Sequence, residues 1–133
     1  MKKILYLTAI ALFTINMGCS QNDEAPKTKI TFKGETTFNF GQIDYESEGI
    51  HDFIFKNTGK HSLIITNVTS SCGCTVPVYP NKPIKRGESD TIRVKYDTKR
   101  EGGFSKSVTV YSTAKSSPTK LRIQGDVLPK TGK

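Results

Sequence analysis

The chain has 133 residues, of which 20 are Lys or Arg and 12 are Asp or Glu, so its formal net charge is +8. This length allows one domain with its own hydrophobic core and leaves no room for a second. The basic residues are scattered and are not interleaved with aromatic residues, a distribution that argues against a nucleic-acid partner.

Residues 1–18 have the features of an export signal. Lys2 and Lys3 form a short positive segment, and a largely apolar run follows from Ile4 to Ile15. The run is shorter than the roughly 20 apolar residues that a transmembrane helix needs. We expect residues 1–18 to be removed, and the loss of the two lysines lowers the net charge from +8 to +6.

Cys19 is a candidate lipidation site. It directly follows Gly18 at the end of the apolar run, an arrangement that resembles the bacterial lipobox, although Asn16 stands where that pattern prefers leucine. The alternative is an ordinary secretory signal with a chance cysteine. Acyl chains such as palmitate contribute about 0.8 kcal/mol per buried CH₂, so a fully acylated Cys19 would anchor the protein stably. We expect an anchor in the bacterial envelope, in the outer rather than the inner membrane.

The remaining chain is predicted to form a tether, a domain and a tail. Residues 19–28 are polar and are expected to connect the lipid to the domain. Residues 29–128 form the predicted domain, and residues 129–133 a short C-terminal tail.

From residue 29 onward, apolar residues recur with the period of two that is typical of β-strands. We predict about seven strands, at residues 29–32, 36–40, 50–56, 62–69, 91–96, 105–111 and 121–127. The alternating apolar residues of these strands are expected to face the core, and they are Phe38, Phe40, Phe53, Phe55, Leu63, Ile65, Ile92, Val94, Tyr96, Val108, Val110, Leu121 and Ile123. This pattern predicts an all-β fold, an antiparallel β-sandwich of the immunoglobulin-like type.

Three segments between the predicted strands are rich in turn residues. We predict a hairpin at residues 57–60 (NTGK), a crossover at 81–88 (NKPIKRGE) and a hairpin with positive φ angles at 101–103 (EGG). Asn57 is expected to bond the turn backbone rather than a ligand.

Several short motifs resemble one known family. They are FNFGQI at residues 38–43, FIFKNTG at 53–59, LII at 63–65, SSCGCT at 70–75, and KRGE at 85–88 before a strand that ends in Tyr96 and Asp97. Their order and spacing, over about residues 32–127, resemble DUF1573, a bacterial family of unknown function. The resemblance implies an immunoglobulin-like sandwich and an exported lipoprotein of Gram-negative bacteria. This chain lacks the proline that the family often carries beside the glycine at position 87.

Cys72 and Cys74 are the one pair of residues with evident chemical potential. In an extended strand their Cα atoms would lie about 6 to 7 Å apart with the side chains on opposite faces, so a disulfide requires a turn. Gly73 permits such a turn. The pair lacks the C-x-x-C spacing and βαβ context of thioredoxin-like enzymes.

A metal site is the other alternative for the two cysteines. Thiolates suit Cu(I) or Zn²⁺, and His51 and His61 are the histidines that could complete the site. The spacing differs from that of structural zinc sites. We therefore expect Cys72 and Cys74 to be reduced, metal-free and packed as small apolar residues.

The sequence has no signature of catalysis. It contains no paired carboxylates, no G-x-S-x-G or H-E-x-x-H motif and no phosphate-binding loop. We expect no catalytic residue and no cofactor. The sequence favours a monomeric, membrane-anchored binding or assembly module that contacts an envelope protein. The alternative is a thiol redox or Cu/Zn-binding protein that uses Cys72 and Cys74.

Overall fold

The computed structural model describes residues 28–131, which form eight β-strands in two four-stranded sheets. The strands are β1 (Ile30–Phe32), β2 (Thr37–Ile43), β3 (Gly49–Asn57), β4 (Ile65–Ser70), β5 (Thr75–Val78), β6 (Ser89–Tyr96), β7 (Gly102–Ser112) and β8 (Thr119–Val127). The predicted all-β sandwich is confirmed, with one strand more than expected. The predicted signal, Cys19 and most of the tether lie outside the described residues. Residues 28–131 contain no helix of the length and apolarity needed to cross a membrane.

The first sheet has the strand order β1-β3-β6-β5, and the second has β2-β8-β7-β4. Every pair is antiparallel except β2 with β8, which is parallel. This one pair departs from the predicted antiparallel arrangement. Strands β2 and β8 are far apart in the sequence and are not joined by a hairpin. Only strands that a tight hairpin joins must be antiparallel, so this pair is free to be parallel.

The turn residues mark where the chain bends, but two of the three connections differ from the prediction. Residues 57–60 carry the chain from β3 in the first sheet towards β4 in the second, so they do not form a hairpin. Residues 81–88 join β5 to β6 within one sheet and are not a crossover. Gly102 does adopt the expected positive φ, +94°, but it follows a crossover between the sheets.

Strand β5 has no counterpart among the predicted strands. It is four residues long and contains Pro77, and proline normally excludes a segment from the interior of a sheet. The strand is nevertheless compatible with this residue because it lies at the edge of the first sheet.

The core lies between the sheets and contains most of the predicted inward-facing residues. Phe55, Leu63, Ile92, Val94, Val108, Leu121 and Ile123 are essentially inaccessible to solvent. Phe38 and Phe40, which we expected to be core anchors, are only partly buried against this cluster. They lie on β2, which is an edge strand of the second sheet.

Asn57 stabilises the turn after β3. Its side chain is fully buried, and Nδ2 donates hydrogen bonds of 2.8 Å to the carbonyl oxygens of His61 and Ile84. Its Oδ1 accepts a 3.0 Å bond from Gly59 N. The prediction that Asn57 bonds turn backbone is confirmed.

Candidate functional site

One edge of the first sheet is only half covered. Strand β1 pairs with residues 55–57 of β3, and Lys33 N donates a 2.8 Å bond to Ile54 O. Beyond that point, Gly49–Phe53 has no neighbouring strand on this side within the part of the chain that the structure describes. We call Gly49–Phe53 the open edge.

The open edge presents the backbone of two residues. Asn57 N donates a 2.9 Å bond to Glu88 O, which shows that the odd-numbered residues of β3 direct their backbone groups towards the β6 side. Backbone direction alternates along an antiparallel strand, so Ile50 and Asp52 face the other side. Their N–H and C=O groups are available to pair with another strand.

Aromatic side chains line the gap between the open edge and β2. The rings of Phe38 and His51 are stacked, with centroids 3.6 Å apart and planes within 9°. Phe40 packs edge-on against Phe38 at 4.9 Å, and Phe53 packs edge-on against His51 at 4.6 Å. We call Phe38, Phe40 and His51 the aromatic seam. All three are partly exposed, so a ligand at the open edge would reach them.

The charge state of His51 fits this apolar setting. Burial lowers the pKa of the imidazole, and the nearby Asp52 carboxylate opposes that shift in part. The Asp52 carboxylate itself accepts bonds of 2.7 and 2.8 Å from Arg93, and these bonds lower the pKa of Asp52. Because Arg93 neutralises Asp52 on the outer face of the sheet, the seam side of β3 is left with a neutral His51 at neutral pH.

The other sheet edges are less suited to strand addition. Strand β1 has only three residues, and β5 contains Pro77, which has no N–H to offer. A register irregularity interrupts β2 between Asn39 and Gln42, and the Gly41 N–H is already bonded to Asn39 Oδ1 at 2.9 Å. Strand β4 packs near β5 of the other sheet. The open edge thus combines free backbone groups with adjacent aromatic side chains.

Cys72 and Cys74 form a disulfide at the turn between β4 and β5. Their Cα atoms are 5.3 Å apart, closer than in an extended strand, because residues 71–74 form a bend and turn. Our expectation that both cysteines are reduced is therefore wrong. Gly73 is exposed, and nothing lies within 4 Å of its Cβ position, so one side of the disulfide turn is open to solvent.

The two sulfurs differ in exposure and share one polar neighbour. Cys72 is partly exposed, whereas Cys74 is 3% exposed. The hydroxyl of Thr75, itself buried, lies 3.9 Å from each Sγ. Thr75 could not be identified from the sequence, because its contact with both sulfurs depends on the turn.

The structure does not assemble the alternative metal site. Among residues 28–131, no group of three or more His, Cys, Asp or Glu side chains could hold a metal ion. His51 belongs to the aromatic seam, and the His61 carbonyl accepts a hydrogen bond from Asn57.

The open edge could not be predicted from the sequence, because it depends on where β1 stops along β3.

Solved structures share this fold at low sequence identity. The chain is similar to a protein of unknown function from Porphyromonas gingivalis W83 (16% identity, TM-score 0.67), with 77% of this chain and 48% of that chain covered. It is also similar to PapD-like domain 7 of human CEP192, an ASH/PapD-like domain (7% identity, TM-score 0.62, coverage 80% and 89%). Another similar structure is the YadV chaperone (14% identity, TM-score 0.52, coverage 77% and 52%). The chain thus spans about half the length of the P. gingivalis protein.

No curated protein sequence matches this chain. A family model does match, and it covers residues 30–127, which is nearly the whole described domain. The chain belongs to the DUF1573 family of proteins of unknown function.

Proposed function

We propose that this protein is a binding or assembly module of the bacterial envelope that adds an extended segment of a partner protein to the open edge of β3. The observation that carries the proposal is the unpaired backbone of Ile50 and Asp52 beside the aromatic seam. Strand addition of this kind derives affinity from main-chain hydrogen bonds and specificity from contacts of alternate side chains. The YadV chaperone and the PapD-like domain of CEP192 have the same fold, which supports a binding role for the scaffold.

The geometry defines the partner segment. Ile50 and Asp52 together offer two N–H donors and two C=O acceptors, and each hydrogen bond contributes a net of about 1 kcal/mol. Alternate side chains of an added strand would face Phe38 and His51, so they should be apolar or aromatic. The partner segment is therefore extended, with apolar residues at every second position.

The proposal includes attachment to the membrane. Acyl chains on Cys19, which directly follows Gly18, would hold the domain at the outer membrane, and residues 19–28 would serve as the tether. In this arrangement the protein needs no cofactor and no catalytic residue for binding, and it acts as a monomer. An envelope protein supplies the partner segment.

Site-specific crosslinking in cells tests the partner site. A photo-crosslinking amino acid at position 50 should give a discrete adduct with one partner protein, whereas the same group at the exposed Lys120 position on the second sheet should not. Ile50→Pro removes the free N–H and should reduce partner binding about tenfold or more, while Ile50→Val keeps the N–H and should bind normally. Equal binding by both variants would contradict strand addition at this edge.

A separate experiment tests the anchor. Cys19→Ala should leave an unprocessed precursor, and the intact mass of the wild-type protein should show a lipid adduct at its N-terminus. A wild-type mass that corresponds to cleavage at another position without a lipid would disprove the lipid anchor but would leave the open edge unaffected.

A further inference from the structure

The disulfide turn has features that strand addition does not use. Cys72 and Cys74 are separated by one residue, and the turn lies at the crossover between the two sheets. Ser71 N donates a 2.9 Å bond to Ser107 O in β7, and Asp97 N, directly after β6, donates a 2.8 Å bond to Cys74 O. Because both sheets hold the backbone on either side of Gly73, the two sulfurs stay close to each other whether or not they are bonded.

The difference in exposure between the two cysteines determines which sulfur an incoming thiolate attacks. A thiolate attacks one sulfur of a disulfide and expels the other, so the accessible sulfur is the one attacked. Cys72 is partly exposed and lies beside the exposed Gly73, whereas Cys74 is buried. An incoming thiolate therefore reaches Cys72 Sγ, and Cys74 Sγ is the leaving group.

Thr75 supports that leaving group. Its buried hydroxyl is 3.9 Å from Cys74 Sγ and has no hydrogen-bond partner among the described residues other than the two sulfurs. A hydroxyl donor next to a buried sulfur stabilises the thiolate relative to the thiol. Thr75 is thus a positioning residue for the Cys74 thiolate.

We propose that the Cys72–Cys74 disulfide is a thiol–disulfide exchange site that oxidises the dithiol of a partner protein. One thiolate of the partner attacks Cys72 Sγ, the Cys72–Cys74 bond breaks, and its electron pair leaves on Cys74 Sγ. The second thiolate of the partner then attacks the partner sulfur of the mixed disulfide and releases Cys72 as a thiolate. The partner leaves as a disulfide after the loss of two electrons, and Cys72 and Cys74 have gained those electrons and take up two protons.

Reduced glutathione is a suitable probe, since two glutathione thiols can replace one partner dithiol. The full chain should carry Cys19→Ser, so that Cys72 and Cys74 are its only cysteines. We expect the folded protein to be reduced by glutathione without denaturant and to expose two thiols to a maleimide of high mass. If the disulfide stays intact until the protein is unfolded, the proposal is wrong.

Two single-cysteine variants test the direction of attack. With Cys74→Ser added, the remaining Cys72 should react with oxidised glutathione at least about tenfold faster than Cys74 does in the Cys72→Ser variant, as expected from their difference in access. Circular dichroism identifies any variant that fails to fold. If a variant fails to fold, mass mapping of the mixed disulfide trapped on the protein with both cysteines shows which sulfur is attacked. A glutathione on Cys74 would overturn the assignment of Cys72 as the attacked sulfur.

Thr75→Val tests the positioning role with a side chain of nearly the same shape. Loss of a hydrogen bond to a charged sulfur should slow reduction by glutathione about tenfold and should raise the pKa of the Cys74 thiol, measured by its absorbance as a thiolate in the Cys72→Ser variant. An unchanged pKa together with an unchanged rate would mean that Thr75 only packs there.

Discussion

His51 lies where the open edge meets the aromatic seam, and its titration should be visible in the stability of the domain. Burial lowers its pKa in the folded protein, against an ordinary value of about 6.5. As the pH decreases below about 6.5, the imidazole of His51 becomes protonated in the unfolded chain before it does so in the folded protein. The free energy of unfolding therefore falls as the pH decreases from about 6.5 towards the lower pKa of the folded protein. Above that range both states are neutral, and His51 makes no pH-dependent contribution.

The variant His51→Gln isolates this contribution. Urea unfolding between pH 8 and pH 5 should show a shallower loss of stability in the variant than in the wild type. The pKa of Asp52 is also lowered, chiefly by its hydrogen bonds from Arg93, so Asp52 titrates at more acidic pH and its contribution to stability changes below the range of this experiment. Parallel profiles for the two proteins over the whole range would contradict the assigned state of His51.

Asn57 is the residue whose polar contacts matter most for the fold. Asn57→Ala would remove the hydrogen bonds to the His61 carbonyl oxygen and the Gly59 N–H, together with one of the two bonds to the buried Ile84 carbonyl oxygen, which keeps its 2.8 Å bond from Leu63 N. The change should cost about 3 kcal/mol in the free energy of unfolding. Thr31→Ala is the control, because it removes an exposed 2.8 Å bond to Thr58 and should cost about 0.5 kcal/mol. Similar losses in both variants would contradict the structural role of Asn57.

At the scale of the strands, β5 and the open edge of β3 differ in the backbone donors that they offer to an added strand. The open edge keeps the N–H groups of Ile50 and Asp52, whereas the free side of β5 carries Pro77. Strand β5 exposes Val76 and Val78, which are 56% and 61% accessible, at the margin of the first sheet. Such an edge tends to pair with a second molecule unless it is blocked. Because backbone direction alternates and Cys74 O bonds towards the β6 side, Pro77 lies at the free side, where it removes a donor.

Pro77→Thr should therefore promote self-association. The substitution restores the N–H and a β-branched side chain without disturbing the bonds to β6. Sedimentation should show a concentration-dependent dimer that the wild-type protein lacks at the same concentration. Val78→Thr, which keeps Pro77, serves as the control and should remain monomeric. A Pro77→Thr protein that stays monomeric would show that the proline does not protect this edge.

At the scale of the whole molecule, the sandwich depends on its apolar core. Residues 29–128 produced alone should fold as a monomeric β protein. Phe55, with no solvent-accessible surface, packs at 6.0 Å from Phe32 between ring centroids. Phe55→Ala should reduce the free energy of unfolding by about 3 to 5 kcal/mol.

Lys99→Ala is the matched surface change. Lys99 contacts Glu46 at 3.7 Å, but both side chains are more than half exposed, and exposed ion pairs contribute little. Its expected cost is about 0.5 kcal/mol or less. A helical circular dichroism spectrum, or a Phe55→Ala protein as stable as the wild type, would be incompatible with this core.

The sequence by itself determined the fold class, most of the strands and most of the core. Alternation of apolar residues is a local property, so pairs such as Val108 and Val110 were assigned to the inside correctly. The role of Asn57 was also predictable, because a turn asparagine bonds nearby backbone. The export signal and Cys19 likewise depend on local sequence, and they remain predictions.

Only the tertiary structure decided where the turns lead, which edge is open and how the cysteines are paired. Turn residues determine that the chain bends but not which sheet receives the next strand, so residues 57–60 and 81–88 were misassigned. The open edge exists because β1 covers only residues 55–57 of β3, a relation between distant segments. The disulfide forms because contacts from β7 and from Asp97 hold residues 71–74 in a turn, and local spacing contains neither contact.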